Sequence, residues 1–297
     1  MPFIRDIHAA CRAAGRPAVS FEFFPPKTDE GDRNLMEKTL PALLAMKPDY
    51  CSVTYGAGGS TRDKTLGIVD NIQRKHGLTA MMHLTCVNST REELREVVEE
   101  ARGRGVQNIM ALRGDPPGGV GPWVPAEGGF TYSSELVAFL RGLGGLCIGT
   151  AGFPEGHVAQ TKGKLVDWQF LGEKIAAGAD FVITQIFFDN EDYYRFAAHM
   201  KEKLGVTVPI IPGILPILSR HQTKKFTELC GAKLPQAFVD KLDALGDDDA
   251  AVTQFGIDYA TEQCEALLKF GVPGLHFYSL NKSHSTLAVA RNLGLVG

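Results

Sequence analysis

The chain has 297 residues, of which 44% are hydrophobic and 22% charged, a globular composition long enough for one large core or two medium ones. Lys and Arg number 31 and Asp and Glu number 34, so the formal net charge of -3 provides no basic field to gather nucleic acid or an anionic membrane. This balance favours a protein that acts on small molecules.

Cysteine and histidine usage narrows the class of protein further. The six cysteines show no C-x-x-C spacing, which indicates reduced thiols in a cytoplasmic protein. The N-terminus is charged throughout, and no run of about 18 apolar residues occurs, so we expect neither export nor a membrane span. The eight histidines lack H-x-x-x-H spacing and clustered ligand partners, so no metal site is expected.

Short apolar runs rich in β-branched residues recur along the whole chain. Each is too short for a helix and too continuously apolar for a half-exposed strand, which is typical of parallel strands covered on both faces. The predicted strands are 18–24, 50–55, 80–86, 108–113, 146–151, 181–188, 209–214 and 275–280.

Amphipathic segments alternate with these runs and predict helices. In 89–105, for example, Ser89 or Thr90 provides a cap, and Leu94, Val97 and Val98 lie on one apolar face. The other predicted helices lie near 31–46, 61–76, 132–142, 167–178, 190–204, 218–230, 251–270 and 283–293.

Eight strand-helix units in this length favour an α/β (β/α)8 TIM barrel over an open doubly wound sheet. We therefore expect a single (β/α)8 barrel catalytic domain over residues 1–297. The Gly- and Pro-rich segment 114–129 follows the fourth strand and is long for a βα connection, so it is expected to shape an active site.

Polar residues at the ends of barrel strands are the candidates for chemistry. Glu22 lies among aromatic and proline residues in Phe21-Glu22-Phe23-Phe24-Pro25-Pro26, which would remove water and raise its pKa toward that of a general acid. The alternative is a buried carboxylate paired with a barrel arginine. The residue pattern leaves both readings open.

Two further strand ends offer polar groups with open alternatives. Arg113-Gly114-Asp115 could hold a polar heterocycle, or Asp115 could only initiate a turn before the two prolines. Gln185 lies in an apolar strand, so its amide needs partners, either a pterin-like ring or the neighbouring backbone. His83 and His157 are equally ambiguous taken singly.

Taken together, the strand ends resemble those of methylenetetrahydrofolate reductases. The matching segments follow one another in order along the whole chain: SFEFFPPK (20–27), SVTYGAGGSTRDKT (52–65), HLTC (83–86), ALRGDPP (111–117), ITQIFFD (183–189), IIPGILP (210–216) and FYSLNK (277–282). The chain is similar to the bacterial catalytic module, without the regulatory extension of the eukaryotic enzymes.

The resemblance implies a reaction and its cofactors. It implies noncovalent FAD, NADH or NADPH as co-substrate, and reduction of 5,10-methylenetetrahydrofolate to 5-methyltetrahydrofolate by ping-pong hydride transfer, in one-carbon metabolism and methionine supply. A homo-oligomer is also expected. Two other classes stay open: a flavin-free barrel lyase or transferase, and a folate-binding module without enzymatic activity.

The resemblance also assigns roles to residues. Glu22 would help to protonate folate N10, and Asp115 would stabilise the resulting cation. Gln185, Tyr278 and Lys282 would contact substrate. The FAD-binding positions would be Thr54, His83, Arg113, Gly114, Asp115, Tyr132, Ser133, Phe153, His157, Asp167 and Lys174.

Three residues depart from the family pattern. Phe153 stands where Tyr is usual, which removes a hydroxyl contact to the cofactor. Arg220 falls where bacterial relatives have a Phe that packs against ligand, and Lys282 replaces a common Arg. These departures bear on how the dinucleotide and the folate tail are held.

Overall fold

All the strands belong to one parallel sheet. The computed structural model describes residues 1–56, 62–115 and 124–295. Within them the strands are β1 (Ala18–Phe23), β2 (Tyr50–Val53), β3 (Ala80–Thr85), β4 (Asn108–Leu112), β5 (Cys147–Gly152), β6 (Phe181–Thr184), β7 (Ile210–Ile211), β8 (Gly213–Ile214) and β9 (Gly274–Tyr278).

The sheet closes on itself through the predicted seventh strand, which is divided at Pro212. Its first half, β7, pairs with β6, and its second half, β8, pairs with β9. Because β1 pairs in parallel with both β2 and β9, the strands form a ring in sequence order. The expectation of a (β/α)8 barrel is confirmed.

Helices alternate with the strands, and the nine predicted segments are helical with ends shifted by a few residues. They are α2 (Asp29–Asn34), a π-helical turn (Leu35–Thr39) and α3 (Leu40–Leu44) in the first segment, then α4 (Arg62–His76), α5 (Arg91–Gly103), α6 (Ser133–Leu143), α7 (Lys164–Ala176), α8 (Asn190–Glu202), α9 (Arg220–Cys230), α11 (Asp249–Phe270) and α12 (Ser283–Asn292). Two more helices, α1 (Ile4–Ala13) and α10 (Gln236–Leu245), fall outside the predicted segments.

Alternate residues of each strand point to opposite faces, and the two faces bury different side chains. Val19, Phe21 and Phe23 of β1 join the large apolar cluster between the strands and the helices. Tyr50, Met81 and others from six strands form a separate cluster with Ile4 of α1. Ser20 and Glu22 have the opposite parity to Phe21, which places them on the inner face of the barrel.

Helix α1 covers the amino-terminal end of the barrel. Asn108 at the start of β4 accepts a hydrogen bond from the Ile4 N–H at 2.9 Å and donates to the Pro2 carbonyl at 3.1 Å. His8 is 3% exposed, and its Nε2 lies 3.2 Å from the Tyr50 hydroxyl. The helix therefore puts a titratable side chain into an apolar layer.

Burial of His8 predicts a pH-dependent stability. Burial lowers the pKa of His8 to about 4 in the folded protein, against 6.5 for the free side chain. Since only the unfolded chain then binds a proton below pH 6.5, stability falls as the pH drops from 6.5 toward 4, by at most about 1.4 kcal/mol per pH unit. Urea unfolding between pH 7.5 and 5 should show a smaller decline for His8→Gln, and an unchanged decline would contradict this assignment.

The loop after β4 is only partly described. Of the predicted long loop 114–129, residues 116–123 lie outside the described residues, as do 57–61 after β2. From Val124 onward the chain leads to an isolated antiparallel bridge between Gly129 and Thr90, at the start of α5. The loop therefore returns beside the β3–α5 connection.

Candidate active site

Glu22 lies inside the carboxyl-terminal half of the barrel, enclosed by polar side chains from neighbouring strands. Its Oε2 is 3.3 Å from Nε2 of His83 and 3.4 Å from Nε2 of His276, and Ser52 Oγ donates to it at 3.2 Å. The side chain of Glu22 is 6% exposed. A carboxylate and two imidazoles thus share one buried position.

Strand register brings these groups together. Glu22 pairs in register with Ser52 of β2, and Ser20 pairs with His276 of β9. Ser20 Oγ lies 2.8 Å from Nδ1 of His276, which orients the ring so that Nε2 faces Glu22. The inner face of β1 and its neighbouring strands therefore holds a hydrogen-bonded polar group, on the carboxyl-terminal side of inner apolar residues such as Tyr50 and Met81.

The pKa of Glu22 moves in the direction opposite to the sequence-based expectation. Burial raises it, but the charge of His83 and the hydrogen bond with His276 oppose burial and hold the pKa at about 2. The expected rise was therefore wrong for the protein without ligands, because aromatic neighbours in sequence say nothing of the imidazoles on nearby strands. The alternative of an arginine partner does not hold either, since the partners are histidines.

The end of β3 has two buried polar atoms without partners among the described residues, His83 Nε2 and Thr85 Oγ1. The His83 contact with Glu22 is an ion-pair distance without hydrogen-bond geometry. Beside them Gly114 has a φ of 84°, and a Cβ there would lie 2.7 Å from Val87. Arg113 is partly buried, and its Nε donates to the Gly114 carbonyl at 3.2 Å.

A second group of charges lies where β5 meets α7. Lys174 Nζ donates to the Ala151 carbonyl at 2.9 Å, and burial lowers its pKa to about 8 although Asp167 opposes the shift. Burial raises the pKa of Asp167, although the charge of Lys174 and a hydrogen bond from the His157 N–H oppose the rise. Burial also lowers the pKa of His157. The predicted positions His157, Asp167 and Lys174 are therefore brought together.

Phe153 and His157 pack edge to face with their ring centroids 4.7 Å apart. The Phe153 carbonyl accepts a hydrogen bond from Trp168 Nε1 of α7 at 2.9 Å. These contacts join the loop after β5 to the helix that holds Lys174. The Phe153 ring therefore contacts His157 and its carbonyl binds Trp168, and neither contact requires a hydroxyl group on residue 153.

Two predicted substrate residues already have intramolecular partners. The Ile186 N–H donates to Gln185 Oε1 at 2.9 Å, which matches the backbone alternative for this amide in the protein without ligands. Tyr278 donates to the Thr184 carbonyl at 2.7 Å across the divided seventh strand. Gly213 allows this approach, because a Cβ there would lie 2.5 Å from the Tyr278 ring.

The remaining predicted residues lie nearer the surface. Asp115, Tyr132 and Lys282 are exposed, and Ser133 and Thr54 are partly buried. Ser133 begins α6, where the N–H groups of Thr131 and Tyr132 donate to Glu135. Thr54 accepts a hydrogen bond from Thr65 Oγ1 through its carbonyl at 2.8 Å. No described contact joins Lys282 to the Glu22 group, so its role stays a prediction.

A shallow recess too small to admit a water molecule lies beside the divided strand, lined by Leu215, Ile217, Phe226 and Leu280 among others. Arg220, one of the three residues expected to depart from the family pattern, begins α9 and pairs with Asp243 of α10. This ion pair binds the Arg220 side chain to the outer helices.

Over the described ranges no group of three His, Cys, Asp or Glu side chains could hold a metal ion. None of the helices found there is long and apolar enough to cross a membrane.

Sequence reasoning missed four residues around Glu22. Ser20 and Ser52 contact the polar group itself, while Ser279 and Asn281 bind the backbone of β1. The period of two along β1 and β2 was the available signal for the two serines, since it puts them on the face of Glu22. The pairing of β1 with β9 cannot be read from the local sequence.

Comparisons with known proteins agree with the sequence resemblance. The chain is 39% identical over 292 residues to methylenetetrahydrofolate reductase (NADH) 1 of Zea mays, a match covering 95% of this chain and 49% of that relative. It is 38% identical over 282 residues to 5,10-methylenetetrahydrofolate reductase of Escherichia coli K12, covering 95% and 92%. The chain spans about half the length of the plant relatives it matches.

Among solved structures, one from Clostridium thermocellum is similar, an uncharacterized protein that binds two copies of 5-methyl-5,6,7,8-tetrahydrofolic acid. The TM-score is 0.68 at 15% identity, over 96% of both chains, and this likeness shows the fold alone. The family model described as methylenetetrahydrofolate reductase matches residues 6–294. The chain therefore belongs to the methylenetetrahydrofolate reductase family.

Proposed function

We propose that this chain reduces 5,10-methylenetetrahydrofolate to 5-methyltetrahydrofolate, using NADH or NADPH and bound FAD, as a single cytoplasmic catalytic domain. The observation that supports it most is the buried Glu22 with His83 and His276 at the substrate end of a barrel of this family. The names of its plant relatives favour NADH. A homo-oligomer is part of the proposal.

The overall reaction requires one hydride and one proton. The folate methylene carbon gains the hydride, its bond to N10 breaks, and N10 gains the proton, while the nicotinamide is oxidised. FAD, when bound, would supply a two-electron carrier that separates oxidation of the nicotinamide from reduction of the folate. The task left to the protein is to deliver a proton to N10 and to bind both substrates in turn.

Glu22 and its two histidines would perform the proton transfer as one group. A carboxylate with a pKa of about 2 holds no proton at neutral pH, so it must receive one before it can donate. The imidazoles 3.3 and 3.4 Å away are the nearest side chains able to deliver it.

Several features of the barrel end fit FAD. Thr85 Oγ1 is buried without a hydrogen-bond partner among the described residues, which is a cost that a bound ligand would relieve. Lys174 is a desolvated cation that an anionic diphosphate would stabilise. Gly114, with its positive φ, brings backbone close to β3 between Arg113 and Asp115. Tyr132, Ser133, His157 and Thr54 would complete the cofactor site.

The substrate would contact a second set of residues, which come from other strand ends than Glu22. The side-chain amide of Gln185 can give up its hydrogen bond from the Ile186 N–H and hydrogen-bond a folate ring instead, because an amide can donate and accept in either setting. Asp115 is exposed and unpaired by any described salt bridge, so it is available to stabilise a cationic folate intermediate electrostatically. Tyr278 and Lys282 would lie near the folate from the β9 side.

The test is to add FAD to the purified protein and follow absorbance near 450 nm, roughly that of any oxidised flavin. We expect FAD to bind, NADH to bleach it without oxygen, and methylenetetrahydrofolate to restore it. Turnover that survives complete flavin removal would instead favour a flavin-free lyase or transferase. Folate binding with no oxidation of NADH would favour a binding module.

A further inference from the structure

The turn after β9 has an unusual backbone. Leu280 and Asn281 are consecutive and both left-handed, with φ of 48° and 56°. Asn tolerates this conformation, but Leu rarely adopts it, because its Cβ crowds the following carbonyl. Such a turn persists only where other contacts hold it in place.

Those contacts run to β1. Asn281 Oδ1 accepts from the Phe24 N–H at 2.9 Å, and Asn281 Nδ2 donates to the Phe24 carbonyl at 2.7 Å. Ser279 Oγ donates to the Glu22 carbonyl at 2.5 Å. Thr39 Oγ1 donates to the Asn281 carbonyl at 3.1 Å. The turn is thereby joined to β1 on both sides of Phe23.

The hydrogen bonds from Asn281 lie just beyond Glu22 along the chain. The β1–β9 pairing ends at Glu22 and Tyr278, so the backbone beyond it has no ladder partner on that side. The amide of Asn281 offers one donor and one acceptor to Phe24, as a further strand residue would. It extends the pairing by two residues past Glu22.

We propose that Asn281 is a positioning residue for Glu22, which fixes the end of β1 so that the carboxylate stays between His83, His276 and the substrate. This inference rests on the proposed function. It assigns Asn281 no contact with cofactor or folate. Misplacement of a reacting group by about 1 Å can cost roughly 10²-fold in rate, so a small displacement of β1 would be felt in proton transfer.

The variants separate the side chain of Asn281 from its backbone conformation. Asn281→Gly removes both hydrogen bonds to Phe24 but favours a positive φ, whereas Asn281→Ala removes the bonds and also strains the turn. Asn281→Asp keeps the acceptor and loses the donor. Lys47→Ala is the matched control, because Lys47 is a left-handed residue with φ of 52° before β2, at the opposite end of the barrel. Val98→Ala, in the buried face of α5, reports the effect of lost stability alone.

Three measurements are needed. Anaerobic stopped-flow measures reduction of bound FAD by NADH and its reoxidation by methylenetetrahydrofolate separately. Hydrogen exchange of residues 21–27 in the protein without FAD measures protection of the Phe24 amide, which does not depend on activity. The pH profile of the folate half-reaction is measured for each variant.

We expect Asn281→Gly and Asn281→Ala to slow the folate half-reaction alike, by about tenfold or more, and to leave flavin reduction within about twofold. Asn281→Asp should lie between them and the unchanged protein. Exchange at Phe24 should accelerate in the Gly and Ala variants, and the folate pH profile should shift, while Lys47→Ala and Val98→Ala change none of these.

The proposal is overturned if Asn281→Gly keeps the folate half-reaction within twofold, if both half-reactions fall equally, or if Phe24 exchange is unchanged. A failure of the proposed function has a different signature. In that case the unchanged protein itself would show no folate half-reaction, and accelerated exchange at Phe24 would still support the link from Asn281 to β1.

Discussion

Glu22→Gln is expected to slow the folate half-reaction by roughly 10²-fold or more, while reduction of bound FAD by NADH stays within about twofold. Gln fills nearly the same volume and can accept from Ser52, but it cannot pass a proton from the imidazoles to N10. Only the folate half-reaction needs that proton. Rapid-mixing measurements of the two half-reactions on one preparation provide the comparison.

Glu22→Asp is the matched control for this change. It keeps a carboxylate near His83 and His276 but withdraws it by one methylene, so its loss should be smaller than that of Glu22→Gln. Equal losses in both half-reactions of Glu22→Gln would show that Glu22 serves the structure of the barrel and not proton transfer. Circular dichroism confirms that each variant is folded.

The same substitution has a consequence for acid stability. The folded pKa of Glu22, about 2, is below its ordinary value of 4.5, so its ionisation stabilises the fold above pH 4.5 and this contribution is lost as the pH falls toward 2. Glu22→Gln should therefore be less stable than the unchanged protein at neutral pH, and the difference should narrow in acid. A difference independent of pH would contradict the ion pairs with His83 and His276.

Most of the barrel could be predicted because buried parallel strands have a strong local signal. The runs 18–24 and 80–86 are mostly apolar, and the strands observed there are buried along their whole length and end within a residue of the prediction. Helix α1 was missed although Ile4, His8 and Cys11 form one buried face, because it precedes the first strand-helix unit and its burial depends on closing the open end of a barrel. The divided seventh strand depends on Pro212, which ends one pairing where another begins.

The site could be predicted only as far as strand ends reveal it. Glu22 and His276 are polar residues in apolar strands, which marks them without stating their partners. Their proximity results from β1 pairing with β9, 250 or so residues later in the chain, and local sequence contains no information on that register. The direction of the Glu22 pKa was wrong for the same reason, because the ion pair with His83 is also nonlocal.

Lys174→Met is expected to weaken FAD binding by about 10- to 100-fold without lowering the stability of the protein that lacks FAD. Lys174 is a cation whose pKa burial lowers to about 8, with only Asp167 opposing the shift. The ligand-free protein therefore bears the cost of desolvating it, whereas a diphosphate would supply the missing negative charge. Fluorescence titration with FAD and thermal unfolding without FAD measure the two effects.

The pH dependence of Lys174→Met provides an independent check. Below pH 8 Lys174 is charged in both states, and between 8 and the ordinary value of 10.5 the folded protein releases its proton first. The stability of the unchanged protein should therefore rise relative to Lys174→Met as the pH increases from 8 to 10, while its affinity for FAD declines. Lys201→Met, which removes an exposed charge from α8, should show neither change.

If Lys174 binds FAD, its replacement weakens FAD binding without lowering the stability of the protein that lacks FAD. If Lys174 served only the fold, its replacement would lower the stability of the protein, because the hydrogen bond to the Ala151 carbonyl is lost, and would leave the affinity for FAD unaltered. A variant that unfolds at a lower temperature yet binds FAD as tightly as the unchanged protein would therefore remove Lys174 from the cofactor site. Stability retained together with weaker binding would mean that the folded protein tolerates a partly buried, desolvated cation because a bound anion later compensates for the cost.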